Sequence, residues 1–386
     1  MKRYIPLGAG MVLGLGIFMG VAAMFSLSLP EFYLCESFRL KGSRDLDAMY
    51  QAILENHPGP YNPKDPDFMN NMNRAYQEAK NNIAHVCSQQ DALNLLHTFA
   101  QSFCDQHLCI DVTSELNTSQ AEPSPRDFSI KNFTADIAWV PIPNFSPTRL
   151  EQESLELLIK DLPALRSKKY IIFDVRGNPG GSCLWGTRIL ESLFSHDYVM
   201  QKFAQSYGDS YENFRVSKNN LDYWEEVLSS FKDSFGEDSK EYLQLQKLSD
   251  GMKNAYDERQ VFYSMKLMEE EQSKALESHI INPCSARIAV IIDSGCFSSC
   301  LSFIHELKTV DETITLIGQK TAINTPYMEI REDILPSGIH FRYPTALGIN
   351  SKPHFHFYTP SITYPGDNMD ESAAQFWLEK VIKEMK

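Results

Sequence analysis

The chain has 386 residues, of which 43% are hydrophobic and 22% are charged, so a wholly disordered, collagenous or mini-protein chain is excluded. The length is sufficient for about two or three domain-sized units. The 50 acidic residues outnumber the 36 basic ones and give a formal net charge of −14. Because this charge repels phosphate backbones and the sequence contains no basic stripe, we expect no nucleic-acid partner.

The N-terminus carries a long apolar run. Lys2 and Arg3 precede an uncharged stretch over residues 4–30, a pattern typical of a secretory signal. The stretch is also about as long as a membrane-spanning helix. We therefore interpret residues 1–33 as a signal peptide or a membrane anchor and leave the choice between them open. In both cases the rest of the chain is expected to be exported, periplasmic or secreted, with membrane contact only through this segment.

The eight cysteines are interpreted in the light of this expected export. An even number of cysteines in an oxidising compartment permits disulfides, although the sequence does not reveal their pairing. The chain has no Cys-x-x-Cys motif and no suitably spaced pair of histidines near the cysteines. We therefore expect one or more disulfides, no metal site and no other cofactor.

Helical periodicity after the apolar run predicts an N-terminal helical domain over residues 36–111. Apolar residues recur at helical spacing in three stretches. These positions are Leu46, Met49, Tyr50, Ile53 and Leu54, then Phe68, Met72, Ala75, Tyr76, Ala79 and Ile83, then Leu93, Leu96, Phe99, Ala100 and Phe103. The predicted domain ends just after the Cys104-Asp-Gln-His-Leu-Cys segment.

Residues 112–386 are predicted to form a second, βα-type domain. Short runs rich in β-branched residues are separated by helical stretches, which is the pattern of a largely buried sheet. These runs cover residues 137–142, 170–175, 288–293 and 313–317. Residues 197–282, with mixed charges and aromatics, are interpreted as a helical insertion, either a solvated hairpin or a substrate lid. A C-terminal amphipathic helix is expected to pack through Ala373, Phe376, Trp377 and Val381.

Two segments, residues 176–181 and 294–299, have the composition of catalytic turns, and we call them the catalytic-type turns. Residues 176–181 read Arg-Gly-Asn-Pro-Gly-Gly directly after a predicted strand, and their glycines permit positive φ and close backbone approach. Exposed N–H groups in such a turn can bind a developing oxyanion. Residues 294–299 read Ser-Gly-Cys-Phe-Ser-Ser where another strand meets a helix. Ser298 at this junction suits either a nucleophile beside the helix dipole or an N-cap, and Cys296 is the alternative nucleophile.

In their order along the chain these segments resemble the C-terminal processing (tail-specific) serine peptidases, and most closely the tricorn-core-like branch that uses a histidine base. The resemblance covers most of residues 45–380 and excludes the insertion. The matching segments are His57-Pro-Gly-Pro, Asp105-Gln-His107, Asp174-Val-Arg-Gly-Asn-Pro-Gly-Gly181, Gly295-Cys-Phe-Ser-Ser-Cys300 and Ile317-Gly-Gln-Lys-Thr321. The fold that this resemblance implies is α/β, with a ClpP/crotonase-like βα superhelix as the catalytic domain.

The same resemblance implies a serine-type endopeptidase or tail-specific peptidase acting on peptides or unfolded proteins. It assigns Ser298 as the nucleophile and His107 as the general base. The backbone N–H of Ser299 and that of Gly180 or Gly181 are implied as the oxyanion hole. No oligomeric state follows from the sequence.

The chain departs from the family pattern at several places. The stretch between His107 and the next strand is too short for a PDZ domain. Asn324 stands about where the lysine-dependent branch has its Lys, which favours His107 as the base. The late Glu that orients the histidine is replaced by a segment with His354 and His356, so the third catalytic residue is either His356 or the nearby Asp105.

These departures leave two other functions open. A peptidase-fold protein that has lost catalysis and binds a peptide or lipophilic ligand in the same cleft is the second hypothesis, since Phe297 replaces the usual small residue before the serine. An acyl-transfer or hydratase enzyme of the crotonase-like class is the third, but it leaves the Ser298 turn unexplained.

Overall fold

A computed structural model describes residues 35–111, 126–267, 280–350, 356–366 and 371–384. The fold is mixed α/β, which confirms the predicted class. The interpretation of residues 1–33 as a signal or anchor lies outside the described residues. Within the described ranges, no helix combines the length and the apolar character needed to cross a bilayer.

Helices and strands alternate along most of the chain. The helices are α1 (residues 35–56), α2 (Phe68–Asn82), α3 (Gln89–Gln101), α4 (Arg149–Asp161), α5 (Cys183–Phe194), α6 (His196–Tyr207), α7 (Lys218–Phe235), α8 (Lys240–Asp257), α9 (Ser299–Val310) and α10 (Glu371–Glu384). The strands are β1 (Cys109–Asp111), β2 (Lys131–Thr134), β3 (Ile137–Pro141), β4 (Tyr170–Asp174), β5 (Tyr211–Arg215), β6 (Phe262–Lys266), β7 (Arg287–Ile292), β8 (Thr315–Gly318), β9 (Tyr327–Ile334), β10 (His340–Ile349) and β11 (Ile362–Thr363).

The chain divides into two compact units. The first unit holds the described residues up to 111 together with 217–229 and 329–345. The second unit holds the described residues within 126–216, within 230–328 and from 346 onward. The first unit therefore contains the predicted N-terminal helical segment and adds two pieces from the later part of the chain.

Three helices form the larger part of the first unit, at the places where the apolar spacing predicts them. The predicted positions Leu46, Met49, Ile53 and Met72 are all fully buried, which explains why these amphipathic segments fold as helices. A disulfide joins Cys35 to Cys87, so the expectation of at least one disulfide is confirmed. After α3, the short strand β1 pairs antiparallel with the first residues of β10.

The second unit is built around a sheet in the order β11-β8-β7-β4-β3-β2. All neighbours pair parallel except β2 and β3, which are antiparallel. Successive side chains point to opposite faces of a strand. Ile171 and Phe173 accordingly pack in the cluster that includes α4, α5, α6 and α9, whereas Tyr170 and Ile172 pack in the cluster that includes α10. The predicted buried βα sheet is confirmed.

The C-terminal helix α10 packs on the sheet largely as expected. Trp377 and Val381 are buried, together with Ala374 and Leu378. Phe376 is 73% exposed, so the expectation that it packs on the domain is wrong. The helix faces the sheet with positions 374, 377, 378 and 381, a helical stripe that leaves position 376 outside.

Residues 197–282 are not wholly helical, and here the prediction is wrong in part. They contain α6, α7 and α8, but β5 and β6 form an antiparallel pair in which Asn213 lies opposite Ser264. Strand β5 is mostly half-buried and carries Glu212, Asn213 and Arg215, so it lacks the apolar alternation by which a strand is recognised.

The parallel sheet determines where the two catalytic-type turns lie. Strands β4 and β7 are neighbours, and both end at the same edge because parallel strands share one direction. The Arg-Gly-Asn-Pro-Gly-Gly turn follows β4 and the Ser298 turn follows β7. Ligands of open α/β sheets bind at this carboxyl edge, and the fold therefore brings the two turns together.

Candidate active site

Ser298 has a strained backbone between β7 and α9. Its φ is 53° and its ψ is −123°, a combination that residues other than glycine rarely adopt. Its side chain makes no capping hydrogen bond to α9, so the N-cap interpretation is not supported for this residue. A strained serine on a sharp strand-to-helix turn is the arrangement that presents a nucleophilic hydroxyl.

The turn before Ser298 is fixed by Asp293 and Cys296. Asp293 Oδ1 accepts hydrogen bonds from Gly177 N (2.8 Å) and Gly295 N (2.9 Å), which ties the two catalytic-type turns together. The Cys296 thiol is fully buried and donates to Val175 O at 3.0 Å. Burial and a hydrogen bond with Cys300 raise the pKa of Cys296 well above its usual value. A buried, protonated thiol is a poor nucleophile, so Ser298 is favoured over Cys296.

Asn178 organises the Gly-rich turn. Its side chain is fully buried; Oδ1 accepts from Gly180 N at 2.8 Å, and Nδ2 donates to Ile142 O at 2.9 Å. Its backbone carbonyl accepts from Phe297 N at 3.1 Å. Through its side chain and its backbone carbonyl, this one residue thus connects the segment after β3, the Gly-rich turn and the residue before Ser298.

Gly180 lies directly against Ser298. Its φ is 96°, and a Cβ atom at this position would lie 2.7 Å from Ser298 Cβ and 2.9 Å from Ser299 N. The site therefore requires glycine for both conformation and space. The Gly180 N–H is already donated to Asn178 Oδ1.

Gly181 is the glycine with an available donor. Its φ is 135°, and a Cβ atom would lie 2.2 Å from the Phe145 carbonyl. Phe145 N donates to Gly180 O at 2.9 Å; because a trans peptide directs C=O and N–H oppositely, the Gly181 N–H points away from Phe145. Within the part of the chain that the structure describes, neither this N–H nor that of Ser299 has a hydrogen-bond acceptor.

In the first unit, Asp105 and His107 form a pair. Asp105 Oδ1 lies 3.0 Å from His107 Nδ1 and also accepts from the His107 backbone N–H at 2.9 Å. The Asp105 side chain is almost fully buried. Burial opposes ionisation, but the hydrogen bonds and charge of His107 outweigh it and lower the pKa of Asp105 below its usual value. When the His107 ring is neutral, a carboxylate acceptor at Nδ1 favours the tautomer that carries its proton on Nδ1 and leaves Nε2 as an acceptor.

His57, from the His-Pro-Gly-Pro segment, is also in the first unit. Its ring is fully buried and stacks on Phe68 with 5.0 Å between ring centroids. Its Nδ1 accepts from Gly59 N at 2.9 Å. Burial lowers the pKa of His57 to about 3; the Asp105 charge opposes this shift and that of His107 adds to it. His57 is therefore neutral at ordinary pH.

His356 and Asn324 lie in the second unit and form an isolated antiparallel bridge. The His356 ring packs edge-on against Tyr358, with centroids 4.3 Å apart, and partial burial lowers its pKa. His354 lies outside the described residues. Of the two proposed third members, Asp105 lies in the same unit as His107 and within hydrogen-bond distance of its ring.

Two residues that organise the turns, Asn178 and Asp293, were not singled out from the sequence. Asn178 lies inside the Gly-rich motif, but its contribution depends on where Ile142 and Phe297 lie in the fold. Among the described residues, no group of three or more His, Cys, Asp or Glu side chains is arranged to hold a metal ion.

Comparisons with known proteins place these turns in a family context. The model of peptidase family S41 matches residues 136–357, more than half of the chain, and the match includes both catalytic-type turns. The comparison with curated proteins finds no match.

Several solved structures are similar over most of this chain. A lipoprotein from Streptococcus agalactiae is 13% identical, with 88% of this chain and 97% of that chain covered and a TM-score of 0.45. The tricorn protease is 10% identical, with 89% and 37% covered and a TM-score of 0.44. Mature CPAF is 14% identical, with 64% and 50% covered and a TM-score of 0.40. The family assignment is based on the match to residues 136–357 and not on these structures.

Proposed function

Because the chain belongs to peptidase family S41 and is a serine peptidase, we propose that Ser298 is its nucleophile, His107 its general base and Asp105 the carboxylate that orients His107. The observation that carries the proposal is the strained backbone of Ser298 at the start of α9. Strain of this kind costs about 1–3 kcal/mol and persists where the geometry serves a function.

In the reaction, the Ser298 hydroxyl attacks the carbonyl carbon of the scissile peptide bond while its proton passes to Nε2 of neutral His107. The Asp105 carboxylate beside Nδ1 supports this assignment, because a neutral ring that donates its Nδ1–H to Asp105 leaves Nε2 unprotonated. The imidazolium then protonates the leaving amine, and water hydrolyses the acyl-enzyme by the same steps in reverse order. Asp105 stays ionised throughout and stabilises the imidazolium.

The tetrahedral intermediate carries a negative charge on the former carbonyl oxygen. We assign the two donors to this oxygen as Gly181 N–H and Ser299 N–H, since neither is engaged elsewhere in the described residues. Gly180 supports the hole sterically instead, because its own N–H is held by Asn178. The N-terminus of α9 adds the positive end of its dipole to the same place.

The proposed substrates are peptides or unfolded proteins, and the proposed location is outside the cytoplasm. Residues 1–33 have the pattern of an export signal or anchor, and the Cys35–Cys87 disulfide supports an oxidising compartment.

N-terminal sequencing of the protein made by secretion-competent cells tests the proposed location. A mature start shortly after residue 33 indicates a cleaved signal, a membrane-bound full-length chain indicates an anchor, and recovery of the full chain from the cytosol contradicts export.

A fluorophosphonate probe, which phosphonylates activated serines, tests the nucleophile. We expect the wild-type chain to be labelled at Ser298, as located by peptide mass spectrometry, and Ser298→Ala to be unlabelled. Ser294→Ala is the matched control, because Ser294 is an exposed serine of the same turn and its loss is expected to leave labelling unchanged. His107→Ala is expected to label about 100-fold more slowly or worse.

The competing function is ligand binding without catalysis. Equal labelling of the wild type and Ser298→Ala, combined with retained affinity for peptides, would identify a binding protein that has kept the peptidase fold. In that case the strained Ser298 backbone would have to serve the shape of the binding site rather than chemistry.

A further inference from the structure

The hydroxyl of Ser299 joins the two catalytic-type turns. Ser299 is the first residue of α9, and its side chain is buried, with the residue 6% exposed. Its Oγ donates a hydrogen bond to Gly181 O at 2.5 Å, across a sequence separation of 118 residues. The Cys183 thiol lies 3.3 Å from the same Oγ and donates to it, which leaves the Ser299 proton directed at Gly181.

Gly181 needs such support because it has no side chain of its own to pack. Its backbone is bounded on one side by Phe145, which donates to Gly180 O at 2.9 Å and accepts from Ser182 N at 2.8 Å. These bonds tie the glycine to the segment after β3 and not to α9. Among the hydrogen bonds of the described residues, the bond from the Ser299 hydroxyl ties the Gly181 backbone to α9.

From this geometry we infer that Ser299 is a positioning residue, whose side chain sets the spacing between its own backbone N–H and that of Gly181. The inference depends on the proposed function, in which these two N–H groups bind the oxyanion. An oxyanion hole works when its donors are held within about 0.5 Å of the productive geometry. A displacement of about 1 Å can cost a factor of about 100 in rate. Loss of the hydroxyl therefore weakens transition-state binding without removing any group that touches the substrate.

The experiment measures phosphonylation of Ser298 by a fluorophosphonate in the full chain, resolved into the maximal rate and the half-saturating probe concentration. We expect Ser299→Ala to lower the maximal rate about 10-fold or more and to change the half-saturating concentration less than about twofold. The matched control is Ser302→Ala, which removes another buried hydroxyl from α9 one turn later. It is expected to keep the maximal rate within about twofold of the wild type.

Thermal unfolding of both variants distinguishes a loss of positioning at the site from a general loss of stability. If Ser299→Ala and Ser302→Ala lose similar thermal stability and the same fraction of rate, Ser299 is only structural and the inference is overturned. Ser299→Thr provides a second test, because it keeps a hydroxyl donor at the same carbon. We expect Ser299→Thr to label faster than Ser299→Ala; an equal or lower rate in the folded protein overturns the inference.

The result also separates this inference from the function on which it depends. A wild-type chain that is not labelled at Ser298 overturns both. Normal labelling of the wild type together with an unchanged rate in Ser299→Ala overturns the positioning role alone and leaves the Ser298 assignment intact.

Discussion

The carboxylate of Asp105 is hydrogen-bonded to Nδ1 of His107 at 3.0 Å, and the same oxygen also accepts the His107 backbone N–H. The proposed base and the carboxylate proposed to orient it therefore come from one short loop, two residues apart. Such a pair is formed by local folding and does not depend on a carboxylate from the late part of the chain.

Replacing Asp105 by Asn tests this pair. Asn keeps the size of the side chain but supplies neutral groups, so it neither stabilises an imidazolium nor holds the proton on Nδ1. We expect Asp105→Asn to lower the rate of Ser298 labelling by about 100- to 10,000-fold. Asp47→Asn is the control, since Asp47 is a paired carboxylate of the same unit, bonded to Lys80 at 2.7 Å. An equal rate for Asp105→Asn and the wild type would exclude the orienting role.

The glycines of the turn after β4 differ sharply in the space around them. Alanine at position 181 would place its Cβ 2.2 Å from the Phe145 backbone, in a conformation with φ of 135°. We expect Gly181→Ala to lower the free energy of unfolding by about 3 kcal/mol or more. Gly177→Ala is the matched control, because Gly177 also has positive φ but has no atom within 4 Å of the added Cβ. Its expected cost is about 1–2 kcal/mol, and denaturant unfolding distinguishes the two variants.

Burial of His57 predicts a loss of stability in acid. The pKa of His57 is about 3 in the folded chain, against an ordinary value of 6.5. Between these values the unfolded chain binds more protons, so the free energy of unfolding decreases as the pH is lowered through this window. The contribution of this residue is up to about 1.4 kcal/mol per pH unit and is fully present above about pH 6.5.

The variant His57→Asn checks this pH dependence. Its side-chain oxygen can replace Nδ1 as the acceptor for Gly59 N–H, but it does not titrate. We expect denaturant unfolding between about pH 4 and pH 7, a range that covers most of this window, to show a flatter pH dependence of the free energy of unfolding for this variant than for the wild type. His97→Asn, which removes an exposed imidazole from α3, serves as the control. Parallel curves for His57→Asn and the wild type would contradict the prediction.

The disulfide between Cys35 and Cys87 is expected to stabilise the first unit. It joins residues 52 positions apart, and closing a loop of that size in the unfolded chain is worth about 2–4 kcal/mol. Reduction with dithiothreitol, or the double variant Cys35→Ser/Cys87→Ser, is expected to lower the free energy of unfolding by this amount. Cys104→Ser removes an exposed free thiol and is expected to change it little. Identical stability before and after reduction would show that the bond contributes nothing.

The sequence predicts those helices and strands whose residue types indicate that they are buried. Tyr170–Asp174 and Arg287–Ile292 are recognisable because both faces of these strands are covered and their residues are almost uniformly apolar. Strands β5 and β6 are not recognised in this way, because most of their residues are only partly buried and both strands contain polar residues. Phe376 shows the converse error, since a large apolar residue in an amphipathic helix need not lie on its buried side.

The candidate site was predictable where its residues stand in short sequence motifs. Ser298, His107 and the glycine pair stand in such motifs, and the role of Asp105 was one of two alternatives. The choice between Gly180 and Gly181 as donor was not predictable, because it depends on where the Asn178 side chain points. The hydrogen bond between Ser299 and Gly181 was not predictable from the sequence either, since it joins segments 118 residues apart.

The Asn178 amide also bears on how long the protein remains intact. Asparagine deamidates when the N–H of the following residue attacks the side-chain carbonyl, and here the following residue is Pro179, which has no N–H. Conversion to aspartate would remove the Nδ2 donor to Ile142 O and would place a charge in a fully buried position. The Asn-Pro pair thus protects the side chain that connects the Gly-rich turn to Ile142 from this form of spontaneous chemical ageing.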